Sequence, residues 1–120
     1  MTPPKVDPEY LAAEIAADAE ILKALADNGD IASIVRPIDL HFKGTQDRVE
    51  TLVEDADALG LEFVEFGEYE DGDWAVDFVL EGTTEPDAMA ALVKRALEIE
   101  LVYGVEFDGW GCAAETGTEN

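Results

Sequence analysis

Beyond Asp30 the spacing of apolar side chains switches between a period of two and a period near 3.6, and that succession restricts the fold more than any other feature of the chain. Over residues 34–43, Ile34, Ile38, Leu40 and Phe42 share one face of a strand, with Arg36 interrupting it. Pro37 cannot donate to a ladder, so this strand has an open edge there or carries a bulge. Over 46–59, Val49, Leu52, Val53, Ala56 and Leu59 line one side of a helix that Gly60 stops. A second strand, 61–66, changes phase between Phe63 and Val64, which a bulge reconciles. The Asp71-Gly72 turn signal joins it as a hairpin to a third strand, 74–80, in which Trp74, Val76, Phe78 and Leu80 share a face. Thr84 followed by Asp87 reads as the N-cap of a helix to about Val102, with Met89, Leu92, Val93, Ala96 and Leu97 inward. Tyr103-Gly104 breaks it before a last strand.

Strand, helix, strand, strand, helix, strand is a split βαβ repeat. It predicts an α+β fold: a ferredoxin-like two-layer sandwich (βαββαβ) with an antiparallel sheet, two helices on one face and right-handed crossovers. An additional helix precedes it, capped by Asp7 with Pro8 at its first position and ended by Asn28-Gly29. Leu11, Ile15, Leu22 and Leu25 form its stripe, and Asp18 falls on that stripe, so the face is expected to be only partly covered. This helix packs at an end or on the other sheet face. With 120 residues, 48% of them hydrophobic, the chain is expected to be a single domain over 1–120 with an ordered core of about 7–113 and a short polar tail.

The last strand, Gly104-Val105-Glu106-Phe107-Asp108-Gly109-Trp110-Gly111, alternates apolar and acidic residues and then breaks into Gly-Trp-Gly. Glycines on both sides of a large aromatic let the backbone bulge and re-aim the indole, either back onto the core or toward a partner. An amphipathic helix running into this octet resembles the RraB family, the regulators of ribonuclease E activity B, in which Tyr/Phe-Asp-Gly-Trp-Gly closes the last strand. The order of elements fits that family from the first helix to Gly111. The resemblance implies a binding protein without catalytic residues, whose partner is ribonuclease E, chiefly its scaffold arm with arginine-rich segments, and whose effect is to restrain RNA cleavage. Family members often continue into a longer acidic tail, whereas this chain carries only Glu115 and Glu119 after the motif.

Charge points the same way. Twenty-nine acids against 7 bases give a formal net charge of −22. A surface this negative repels nucleic acid, whose binding depends on Lys and Arg displacing counterions, and favours a basic partner; solubility or a salty cytoplasm would also account for it. There is no apolar run long enough to span a membrane and no signal-peptide segment, so a cytoplasmic location is expected. Cys112 is the single cysteine and His41 the single histidine, with His41 alternating outward, so nucleophilic catalysis has little to stand on. No phosphate-binding or dinucleotide motif occurs, and Asp71-Gly72-Asp73 reads as a turn rather than a calcium loop. The reading is therefore a non-enzyme without cofactors or metal.

The partner-binding residues expected on these grounds are Glu68, Glu70, Asp71 and Asp73 at the hairpin and Glu106, Asp108 and Trp110 in the last strand. A small ligand-binding or sensory domain using the open sheet face is the alternative, and an apolar cleft beside Trp110 would mark it. An enzyme of this fold would need His41 near a carboxylate in a pocket.

Overall fold

The computed structural model describes residues 5–69 and 72–116. Its elements are α1 (Pro8–Asp27), β1 (Arg36–Gly44), α2 (Gln46–Asp55), β2 (Glu62–Glu68), β3 (Trp74–Gly82), α3 (Pro86–Tyr103) and β4 (Glu106–Gly111). The four strands form one sheet in the order β2-β3-β1-β4 with every neighbour antiparallel, as a ferredoxin-like α+β sandwich requires. Pro37 faces Glu81 on β3, while β4 pairs with β1 only from Asp39 onward, so the proline sits where β1 has an open edge.

Both edge strands bulge, and for the same reason. Phe63 pairs with Phe78 and Phe66 with Val76, which leaves Val64 as the extra residue. On the other edge Trp110 pairs with Leu40, Gly109 with His41 and Phe107 with Phe42. Residues three apart point to opposite faces of a regular strand; one inserted residue restores them to the same face. Each bulge therefore delivers a second aromatic to the helix side, in the rows Phe63, Phe78, Leu40, Trp110 and Phe66, Val76, Phe42, Phe107. Gly109 takes φ +113°, a conformation that side chains rarely adopt, which is why the kink needs glycine there.

Over these rows lie Val49 and Leu52 of α2, Ala56 just after it, and Ala96 and Ile99 of α3, closing one hydrophobic core with Leu61 and Val105. Phe42, Phe78, Ile38 and Leu40 are essentially sealed from solvent. Each such side chain contributes about 1.5–3 kcal/mol, more than the ladder bond a bulge gives up.

Two local expectations are corrected. The second helix ends at Asp55, and residues 56–60 continue as turns, with Leu59 N–H on Asp55 C=O. Thr84 is not the cap of α3. Glu85 holds that position without a side-chain cap bond, and the buried Thr84 hydroxyl donates to Asp30 Oδ2 at 2.7 Å instead. At the start of the polar tail, Glu115 N–H donates to Asp30 Oδ1 and Ile31 N–H donates to Glu115 C=O, both at 2.7 Å.

Those bonds belong to a staple around the Asp30–Arg36 ion pair, whose side chains are 3% and 1% exposed. Arg36 also donates to the carbonyls of Ile31 (2.7 Å), Ile34 (3.1 Å) and Ala113 (3.3 Å). The charge that interrupts the apolar face of β1 is thus matched by acceptors from two segments, the connection between α1 and β1 and the chain after β4. Burial alone would raise the Asp30 carboxyl, but the Glu115 N–H, Arg36 and Thr84 together hold it below the usual range.

The first helix packs along α3 in the helix layer, on the side of β4. Asp18, the residue that breaks its stripe, is also its most buried one at 8% exposure. Burial raises its carboxyl above the usual value; the Trp110 indole N–H pulls the other way without closing a full hydrogen bond, since Asp18 Oδ2 and Trp110 Nε1 both lack a partner.

The two buried carboxylates have opposite consequences for stability. A lowered folded-state pKa favours the native protein fully above the unfolded value of about 3.9 and progressively less below it. A raised one works against the native state as pH rises through it. Asp30→Asn and Arg36→Ala are therefore expected to cost about 3–5 kcal/mol at neutral pH, each leaving a buried partner uncompensated. Asp18→Asn should instead raise stability at neutral pH and remove that gain in acid. Urea denaturation from pH 3 to 8 on the variants measures both slopes.

Candidate functional site

The face of the sheet turned away from the helices carries Asp39, His41 and Lys43 from β1 and Asp77, Val79 and Glu81 from β3, alternating with the core positions. Glu62 pairs with Val79 and Glu65 with Asp77, which puts these two acids on the same face. At its β4 edge stand Glu106, paired with Lys43, and Asp108, the residue the bulge inserts. Sequence reading singled out Glu106 and Asp108 but not Asp39 or Asp77. Their alternation with core residues marked them as outward, yet only the strand order shows that they share one surface.

Lys43 organises one end of this face. Its ammonium lies 3.5 Å from Glu106 Oε2, 3.7 Å from Asp108 Oδ1 and 6.0 Å from the centre of the Tyr69 ring. The charges of Asp108 and Glu106 hold its pKa above the ordinary lysine value. Tyr69 belongs to the β2–β3 turn, where its N–H donates to Asp73 C=O at 2.7 Å. Because Gly44 pairs with Trp74 and Trp74 with Glu68, the hairpin end and the start of β4 come to the same end of the sheet. Glu68 and Asp73 are exposed there, so two stretches far apart in sequence contribute to one negative region with a single lysine in it. Glu70 and Asp71 lie outside the described residues.

Trp110 is placed differently. The bulge turns it to the helix side, half-buried against the core beneath α1, away from the acidic face. Two grooves on the helix side do not include it. One of about 250 Å³ is lined by residues such as Ile38, Leu80, Leu92 and Arg95, and one of about 280 Å³ by Leu59, Ile99, Val102 and Tyr103 among others.

His41 does stand beside a carboxylate, with Nδ1 2.6 Å from Asp77 Oδ1, but both side chains are about 40% exposed on an open sheet surface rather than enclosed in a pocket. Burial pushes the Cys112 thiol up, away from the reactive thiolate. Among the described residues no cluster of His, Cys, Asp and Glu is suited to hold a metal ion, and no helix is long and apolar enough to cross a membrane. What this surface can do chemically is attract and hold cationic groups.

Similarity to known proteins is consistent over most of the chain. The family model described as "RraB: Regulator of ribonuclease activity B" matches residues 15–112. A protein named regulator of ribonuclease activity B from Xenorhabdus nematophila is 28% identical over 110 residues, covering 88% of this chain and 78% of that relative.

The lysine at the centre of the acidic end gives a direct test of the geometry. In the double variant Glu106→Gln/Asp108→Asn the Lys43 ammonium is expected to return toward the ordinary lysine pKa, with little change in stability because both acids are exposed. Side-chain NMR titration of Lys43 reads the difference.

Proposed function

The chain belongs to the RraB family, and on that premise we propose that it binds ribonuclease E in the cytoplasm and restrains RNA cleavage by occupying basic segments of that enzyme, with no chemical step of its own. The observation that carries this reading is the convergence of Glu68 and Asp73 from the hairpin with Glu106 and Asp108 from β4 at one end of the sheet, beside its acidic open face. Arginine- and lysine-rich segments that would otherwise hold RNA are the natural counterpart of such a surface, and a net charge of −22 steers them toward it. Glu70 and Asp71 extend the same stretch of sequence and belong to the proposed contact.

Competition then follows from electrostatics alone. The protein presents carboxylates where RNA presents phosphates, so the two bind the same basic segment in mutually exclusive ways. Trp110 contributes indirectly, by fixing β4 against α1 so that Glu106 and Asp108 keep their register. The His41–Asp77 pair lies on the same open face, on the two central strands, and supplies further acceptor oxygen.

The test is reconstitution of ribonuclease E cleavage with and without the protein, together with capture of the enzyme from nuclease-treated lysate. Restraint should weaken steeply as salt rises, since exposed charges are screened beyond roughly 8 Å at physiological ionic strength. Reversing Glu68, Asp73, Glu106 and Asp108 to lysine should abolish restraint while leaving the fold intact by circular dichroism, because each exposed substitution shifts stability by about 0.5 kcal/mol or less. Undiminished restraint by a folded reversed protein would move the contact away from this face. Lys43→Gln should tighten binding more than Lys94→Gln, a control of equal charge on exposed α3, because it vacates the Glu106 and Asp108 carboxylates.

A further inference from the structure

The helix layer is displaced toward one side of the sheet. The second helix packs chiefly on β3 and β1, α3 reaches β4, and α1 extends the layer beyond it. At the β4 edge the row of core residues ends in Trp110, which α1 helps to bury. At the β2 edge the same row ends in Phe63, which is 47% exposed, beside Val64 at 54%. The two edges carry equivalent bulges and equivalent aromatics, yet only one is covered. Large exposed apolar side chains on an unpaired strand edge invite another strand, and proteins usually blunt such edges with charge. Here Glu62 and Glu65 point to the open face and Glu68 follows at the strand's end, with no base anywhere in the strand.

We propose that the free edge of β2 is a strand-docking site for an extended segment in which basic and apolar residues alternate. The alternation follows from register. In a strand paired with β2, side chains directly opposite one another lie on the same face, so residues across from Phe63 and Phe66 meet apolar surface on the helix side. Their neighbours in the docked segment turn to the open face and meet Glu62 and Glu65. The docked segment thus adds a fifth strand by main-chain hydrogen bonds, with specificity set by alternate side chains. A second copy of this chain does not fit. Pairing β2 with itself sets glutamates beside glutamates between two molecules that each carry a net charge of −22.

This inference rests on the proposed binding of a basic partner and names the secondary structure that partner adopts. Two peptides of the same composition separate it from docking by charge alone: one alternating lysine and valine over seven residues, the other with its lysines and valines in separate blocks. Backbone amide shifts and hydrogen exchange across the intact protein report where each binds. The alternating peptide is expected to protect amides of Glu62 to Glu68 and to bind about tenfold more tightly than the blocked one, through several cross-strand pairs. Phe63→Lys and, separately, Glu65→Lys should each erase that preference, and two exposed sites guard against one variant failing to fold. If both peptides bind equally and perturb only the region of Lys43, Glu106 and Asp108, the docked strand is refuted while binding of basic segments stands. If neither peptide binds and ribonuclease E is not restrained, both readings fall together.

Discussion

The ion pair between Asp30 and Arg36 is the constraint on which the rest of the structure depends. Arg36 opens β1 on its core-facing side, where an uncompensated guanidinium would be expensive. It is tolerated because Asp30, the carbonyls of Ile31 and Ile34, and the carbonyl of Ala113 all converge on it. Asp30 in turn gathers the Thr84 hydroxyl and the Glu115 N–H. One buried charge therefore ties together the exit of α1, the start of β1, the loop into α3 and the chain beyond β4. No apolar residue at position 36 could fix four segments at once, since dispersion lacks the direction that hydrogen bonds impose.

With the exit of α1 and the chain just beyond β4 held, the sheet has room to be irregular at its edges. The bulges at Val64 and Asp108 give up regular pairing and return an aromatic to the helix side. At β4 the result is sealed by α1, at the cost of setting the Asp18 carboxylate beside an indole that does not fully satisfy it. At β2 no element among the described residues performs the same task. The extra helix thus makes a pseudo-symmetric sandwich unequal at its two edges.

The distribution of charge carries the functional argument further than its sum does. Three of the 7 bases have local duties: Arg36 in the buried staple, Lys43 between Glu106 and Asp108, and Arg48 donating to the Gly104 carbonyl at 3.3 Å. The acids of the open face are left largely uncompensated, and repulsion among them is relieved by any cationic partner. On the proposed function, such a surface is directed at the parts of an RNA-processing enzyme that are built to hold phosphate.

The sequence by itself determined the order of elements, the antiparallel ferredoxin-like sandwich and even the bulges, because periodicity is a local property and a break in it shows wherever an extra residue is inserted. Gly109 and Trp110 were legible for the same reason. So was the acidity, though not its layout. Tertiary structure alone decided that Thr84 serves Asp30 instead of capping α3, because a capping signal names a local acceptor and cannot register a carboxylate 54 residues away. It also decided that Asp18 is buried, that Glu115 returns to Ile31, and that Glu68 and Glu106 stand at one end of the sheet. Each of these depends on which strand lies beside which and on where α1 comes to rest, and those are set by packing between segments that share no local pattern.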